Sequence, residues 1–125
     1  LTELGRHGDA VEQLRQAVDL LTGLHGPAHV DVASARTELA AALEAAGRLD
    51  EAVAQHEAVL EQRAAAIGID HPSHAIRLLA LSALDRDRGR IEGARAWARR
   101  AIGVLDGQVP ADDPLLRRAQ ALAAR

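Results

Sequence analysis

Six histidines and 18 carboxylates could supply acid–base or metal chemistry in this 125-residue sequence, but their spacing uses little of it. The run HEAVL at 56–60 opens as the zinc-protease helix H-E-x-x-H does, with His56 and Glu57 in place. It then puts Leu60 where the second imidazole has to be. One His and one Glu do not fill the protein positions of a catalytic zinc. His25 and His29 are four apart, yet Gly26–Pro27 between them breaks the helix that would bring them together. His71 and His74 fall at a helix start, where a turn role competes with a metal pair. No metal site and no cofactor are expected. Nucleophilic catalysis lacks its frame as well: Ser34, Ser73 and Ser82 sit in no G-x-S-x-G context. Without Cys or Lys there is no thiol, no Schiff base and no phosphate-loop ammonium. The run DRDRGR at 85–90 reads as a charged helix end with local ion pairs, or as an arginine cluster that grips acidic side chains of a partner. These absences point away from an enzyme.

The composition is that of a soluble globular chain, 48% hydrophobic and 26% charged. No apolar stretch approaches the ~18 residues of a membrane helix, so no membrane partner is expected. Trp97 is the sole aromatic residue, which removes the stacking platforms used for single-stranded nucleic acid. The net charge of −3 also disfavours a phosphate backbone. That charge is uneven: 6 Arg against 13 acids over residues 1–85, then 9 Arg against 5 acids over 86–125. Either this is a solvated surface, or a basic end meets an acidic partner or the acidic end of a neighbouring copy. Arginine as the sole strong base, with 28 alanines, points to a GC-rich bacterial genome. A cytoplasmic location is expected. Since the sequence opens on Leu1 and closes in a helical run, it reads as a fragment of a longer chain.

A repeat organises the helices that carry these side chains. Gly5, Gly47 and Gly89 are 42 residues apart, each followed by arginine, in the runs GRHGDA, GRLDEA and GRIEGA. Ala10, Ala52 and Ala94 keep the register. A second connection repeats as GPAHVDVA at 26–33, GIDHPSHA at 68–75 and PADDPLLR at 110–117. His29 and His71 are thus equivalent, which favours a capping or turn role for both. A fixed period of this length is the mark of stacked helical units.

Each period reads as two helices. Apolar residues recur at three, four and seven: Ala10, Leu14, Ala17, Leu21 and Leu24 in the first copy; Ala52, Val53, Val59, Leu60 and Ile67 in the second; Ile91, Ala94, Ala98, Ala101 and Leu105 in the third. The partner helices are expected near 31–46, 73–88 and 113–124, with starts marked by His71–Pro72 and Asp113–Pro114. Glycine at 5, 47 and 89 suits the left-handed residue that ends a helix. Small residues at 10, 52 and 94, opposed by Ala40 and Ser82, let paired backbones approach closely. No segment alternates with period two, so no strand is expected. The helix at 73–88 is apolar nearly all round. Either neighbouring helices cover it, or Ile76, Leu79 and Ala83 form an open patch that anchors a partner helix, a peptide or a second copy. Trp97, beside the buried stripe of its helix, is expected to pack under the closing helix.

These motifs resemble the tetratricopeptide repeat, in the 42-residue form typified by kinesin light chain. LHGPAHVDVA at 24–33 and GIDHPSHA carry the connection, and GRLDEA carries the turn. The resemblance implies an all-α, right-handed superhelical solenoid of antiparallel helix pairs. It implies one array over 1–125, with units of about 1–30, 31–72 and 73–112 and a closing helix at 113–125. The family's aromatic turn residue is replaced by His7, Leu49 and Ile91, and the groove asparagines of the light chains by Thr37 and Leu79. Family position implies a concave groove lined by Ser34, Thr37, Ala41, Glu44, Ile76, Leu79, Ala83 and Arg86, extended by Arg118 and Ala121. Its implied function is non-catalytic: a protein–protein interaction module that takes a peptide or partner helix. The alternative is a regulatory or sensor arm of a larger signalling ATPase or transcriptional regulator, docking on its own parent. Loss of the preceding helix would also leave the apolar face of the helix at 9–24 open to self-association.

Overall fold

The computed structural model describes residues 3–125, with side chains from Arg6 onward. Six α-helices follow one another: α1 (Glu3–His25), α2 (Val30–Ala45), α3 (Leu49–Ile67), α4 (Ala75–Asp87), α5 (Ile91–Leu105) and α6 (Pro114–Ala124). One turn of 3-10 helix, Pro72–His74, precedes α4. No strand occurs among the described residues. No described helix is long and apolar enough to cross a membrane.

The connections follow from a few residues. At the end of α2 the Arg48 amide donates to the Leu43 carbonyl (2.8 Å) and the Gly47 amide to that of Glu44 (3.0 Å). Forty-two residues on, Arg90 bonds Asp85 (2.7 Å) and Gly89 bonds Arg86 (3.0 Å) in the same way. This is the Schellman arrangement, and it needs a left-handed residue at the glycine, found at φ +75° for Gly47 and +78° for Gly89. Gly5 departs from the pattern: it lies inside α1, which runs unbroken through GRHGDA. Glycine permits a positive φ without requiring one, and the helix here simply continues.

The other connection is closed by histidine caps. His29 Nδ1 accepts from the Asp31 amide (3.0 Å) at the start of α2. His71 Nδ1 accepts from the Ser73 amide (3.1 Å) before the 3-10 turn. At α6, Asp113 takes this role, accepting from Leu115 and Leu116 (2.9 and 3.2 Å), with Pro114 at the first helical position. His25 and His29 do meet, contrary to expectation: their rings stack at 4.3 Å. Gly26 turns the chain at φ +86° without separating the two ends of the break.

Contacts divide the chain into two compact units, Leu1–Gln62 and Arg63–Arg125. In the first unit α1 packs on α2. Its core holds Val11, Val18, Val32, Leu39, Ala40, Leu43, Ala52, Val53, Val59 and Leu60. Three side-chain bonds tie α3 to the other helices: Arg15 to Glu51, Arg36 to Gln55 (2.9 Å), and Gln62 to the His29 carbonyl (3.2 Å). In the second unit α5 packs on both α4 and α6, and the 3-10 turn packs on α4 and α5. Leu78, Leu79, Leu81, Leu84, Ala94, Ala98, Ala101, Val104, Leu105, Leu116 and Leu122 form its core. Inside it the Ser82 hydroxyl donates to the Ala94 carbonyl (2.7 Å), which satisfies a fully buried polar group.

Three apolar positions differ from the sequence pattern. On α1 the most buried residues are Val11 and Val18, whereas Leu24 is exposed and Ala10 half-buried. The buried stripe is therefore rotated by one residue, because two valines face α2. Ile91 is partly exposed at the first turn of α5.

Ala52 and Ala94 are both fully buried, as are Ala40 and Ser82. Ala52→Leu is expected to lower stability by about 1–3 kcal/mol, because a close-packed core has no room for three added carbons; thermal or urea unfolding measures this. At the α2 cap, His29→Ala is expected to cost about 1 kcal/mol while His29→Asn retains most of it, since only an acceptor is needed. Paired denaturation curves of the two variants check the difference.

Candidate functional site

Surface chemistry in the first unit centres on α2. Ser34, Ala41 and Glu44 are exposed and Thr37 half-buried, so all four expected positions share one face of the helix at a three-and-four spacing. The Thr37 hydroxyl turns back to the Ala33 carbonyl (2.9 Å). Along this face the side chains are short, and the charge sits at the C-terminal end. There the Glu44 carboxylate lies 3.5 Å from Nε2 of His56, a buried histidine on α3. His56 thus faces a carboxylate on another helix, while its sequence neighbour Glu57 is exposed.

In the second unit the expected line breaks at Leu79. Ile76 is exposed and Ala83 half-buried, but Leu79 is 2% exposed and belongs to the core. The open patch of Ile76, Leu79 and Ala83 is therefore not formed. A helix apolar on nearly every side is covered on nearly every side, and its open line runs through Ile76, Ala80, Ala83 and Asp87 instead. Arg86 is half-buried, with its guanidinium donating to the Leu122 carbonyl (3.2 Å) of α6. Arg118 and Ala121 are exposed together on α6. Arg77 and Arg63 add a positive edge: burial, and then the neighbouring Arg63 charge, lower the Arg77 guanidinium from its usual range.

The histidine side chains at the start of α4 are committed to backbone. His71 caps the 3-10 turn, and His74 Nε2 bonds the Gly68 carbonyl (2.7 Å). Their rings meet edge to face at 6.2 Å rather than converging on a common point.

One constellation was not foreseen. Asp85 is 6% exposed, accepts from the Trp97 indole (3.0 Å) and pairs with Arg88 (2.7 Å). Arg100 lies over the Trp97 ring at 5.1 Å. A Cβ at Gly93 would stand 2.6 Å from Asp85 Oδ2, so glycine makes the space for the carboxylate. The local ion pair expected in DRDRGR is present, but it is a buried, hydrogen-bonded one. Trp97 is tied to α4 through Asp85. The aligned repeats carried a signal: Asp85 occupies the slot of Leu43, Gly93 that of Glu51 and Trp97 that of Gln55.

On the first unit's surface, Glu51 accepts from Arg48 through two bonds (2.9 and 2.8 Å) and from Arg15. The Arg48 hydrogen bond above all, helped by both arginine charges, holds its carboxyl below the usual 4.5.

The tetratricopeptide repeat model matches residues 1–61 and, overlapping them, 31–106. The chain belongs to the tetratricopeptide repeat family. Its fold is that of the family's helical-repeat solenoids. A crystal structure of a Podosopora anserina protein assigned as a kinesin light chain, with nearly identical TPR-like repeats, is similar at 25% identity and TM-score 0.80. A glutamine-to-methionine variant of that protein gives 25% identity and TM-score 0.81. In each case the match covers 97% of this chain and 57% of the other, so the chain spans somewhat over half the length of those structures. No curated protein matches the sequence. Tetratricopeptide repeats generally mediate protein–protein interactions, binding proteins or peptides, and proteins built from them are typically non-catalytic scaffolds.

Gly93→Ala is expected to destabilise the protein by about 1–3 kcal/mol, since the new methyl forces the Asp85 carboxylate out of place. Loss of the indole bond should move the Trp97 fluorescence to longer wavelength. A variant with unchanged emission and unchanged unfolding would show that the carboxylate can move freely.

Proposed function

We propose that this chain is a non-catalytic interaction module that binds a peptide or a partner helix on the exposed face of a repeat's first helix. The observation that carries this reading is the α2 face, where Ser34, Thr37, Ala41 and Glu44 form one open line of short side chains ending in a carboxylate. A helix whose other faces hold fully buried Val32, Leu39, Ala40 and Leu43 cannot rearrange cheaply, so its outer face is preformed. Little side-chain entropy is then lost on association. In the second unit, Ile76, Ala80, Ala83 and Asp87 of α4 and Arg118 and Ala121 of α6 offer further contact surface. Leu79 drops out. The proposed compartment is the cytoplasm, whose reducing conditions a cysteine-free chain withstands unchanged.

Peptides selected by display against the wild-type chain provide the test. Ala41→Arg fills the middle of the α2 line from an exposed site, and is expected to weaken selected peptides at least about tenfold, or 1.4 kcal/mol. Its melting temperature should stay unchanged. Glu57→Arg, an exposed change on α3, is the control and should leave binding intact. Equal affinities for all three proteins would place the binding surface elsewhere.

A further inference from the structure

The first unit contains a cavity of 140 Å³ lined by Arg15, Val18, Asp19, Arg36, Leu39 and Gln55. It lies off the α2 line just described, between side chains of α1, α2 and α3. Its apolar part is rigid: Val18 is 6% and Leu39 1% exposed. Its polar part is poised. Arg36 is half-buried, and one of its N–H groups donates to Gln55 Oε1 (2.9 Å). A guanidinium carries five donors, so four remain, and no described carboxylate pairs with Arg36. That same bond fixes the Gln55 amide with its own N–H₂ group still available to donate. Arg15 is held from the other side by Glu51, whose charge is already shared with Arg48. Donors from three helices thus line a cavity that contains one acceptor charge, the exposed Asp19 carboxylate.

We infer that this cavity binds the carboxylate of an acidic side chain on a protein partner, with Arg36 as the chelating group and Gln55 and Arg15 as flanking donors. A planar guanidinium takes a carboxylate through two parallel bonds, and such charge-assisted pairs strengthen when partly withdrawn from water. The volume suits a single acidic side chain and is well below the ~300–1,000 Å³ of ordinary small-molecule pockets. Val18 and Leu39 would cover its methylenes. The site is also particular to this repeat. Forty-two residues on, the slots of Arg36 and Gln55 hold Leu78 and Trp97, so the second unit has no guanidinium there and its indole N–H is already given to Asp85. Only the source of the carboxylate rests on the interaction reading above; the cavity's own affinity does not.

The intact chain is titrated with N-acetyl-glutamate methylamide, and the arginine Nε–Hε and glutamine side-chain NMR signals are followed. The capped glutamine analogue and N-acetyl-dialanine, with a free C-terminal carboxylate, are run in parallel. Saturable shifts at Arg36 and Gln55 are expected with the capped glutamate, and at least about tenfold weaker binding with the glutamine analogue, the factor that loss of a charge-assisted pair gives. Arg36→Leu should abolish the shifts at Gln55. Asp19→Asn should tighten binding about two- to fivefold at low salt by removing a like charge at the rim. Equal shifts from glutamate and glutamine, or weaker binding to Asp19→Asn, would overturn the inference even if Arg36→Leu failed to fold. Tighter binding of the dialanine probe would overturn the assignment to a side chain in favour of a chain terminus. The Ala41→Arg variant should bind the capped glutamate as the wild type does, so failure here and failure of the α2 surface are separate results.

Discussion

Close approach of paired helices is the constraint from which the rest of the structure follows. Ala52 and Ala94 have no exposed surface, and neither do Ala40 and Ser82. Where side chains are this small, the backbone carbonyl of one helix comes within reach of its neighbour, as the 2.7 Å bond from Ser82 to Ala94 shows. Such proximity is possible only if each turn reverses the chain within a few residues. The Schellman bonds at Leu43–Arg48 and Asp85–Arg90 do this, with glycine in the left-handed region at each. Backbone geometry is thereby fixed at the same point in two repeats, and side chains around it are free to differ.

They differ in a coordinated way. Leu43 in the first unit is a fully buried leucine; its counterpart Asp85 is a buried carboxylate. Burying that charge requires donors and space together. Trp97 and Arg88 supply the donors, at the slots of Gln55 and Ala46. Gly93 supplies the space, at the slot of Glu51. In the first unit those same slots are used otherwise: Glu51 gathers Arg48 and Arg15, and Gln55 orients Arg36. Exchange at these four slots accounts for the closed polar centre in one unit; the open, donor-lined cavity in the other needs Arg36 as well, at the slot of Leu78.

Periodicity made the fold legible. Glycine at 47 and 89, histidine at 29 and 71, and the Asp113–Pro114 start carry their backbone roles in their residue types, and apart from the start of α1 the helices fall within a few residues of the expected bounds. Face assignment was less legible where a helix is apolar on several sides. On α4, Leu78, Leu79, Leu81 and Leu84 are all buried, and residue type alone does not say that Leu79 turns inward while Ala80 stays on the open line. On α1, Leu14 and Val11 compete as the centre of the stripe, and packing against α2 selects Val11. At the first repeat, GRHGDA has the letters of a turn, but a glycine records only what the backbone is allowed to do, and α1 runs through it.

The candidate surfaces were legible in proportion to how far they depend on repeat geometry. Ser34, Thr37, Ala41 and Glu44 come from family position, and helical spacing brings them to one face of α2. Arg36 follows from neither: its significance comes from Gln55 on another helix and from Arg15 on a third, at sequence distances of 19 and 21. What marks it in the sequence is a mismatch between aligned copies, an arginine where the next repeat has leucine. In a repeat protein, shared residues report the stacking that every copy needs, and unshared ones are released from it. Selection for a particular partner can therefore act only on the unshared set. The polar departures that line the cavity, Arg36 against Leu78 and Gln55 against Trp97, are where the two units differ in what they can bind.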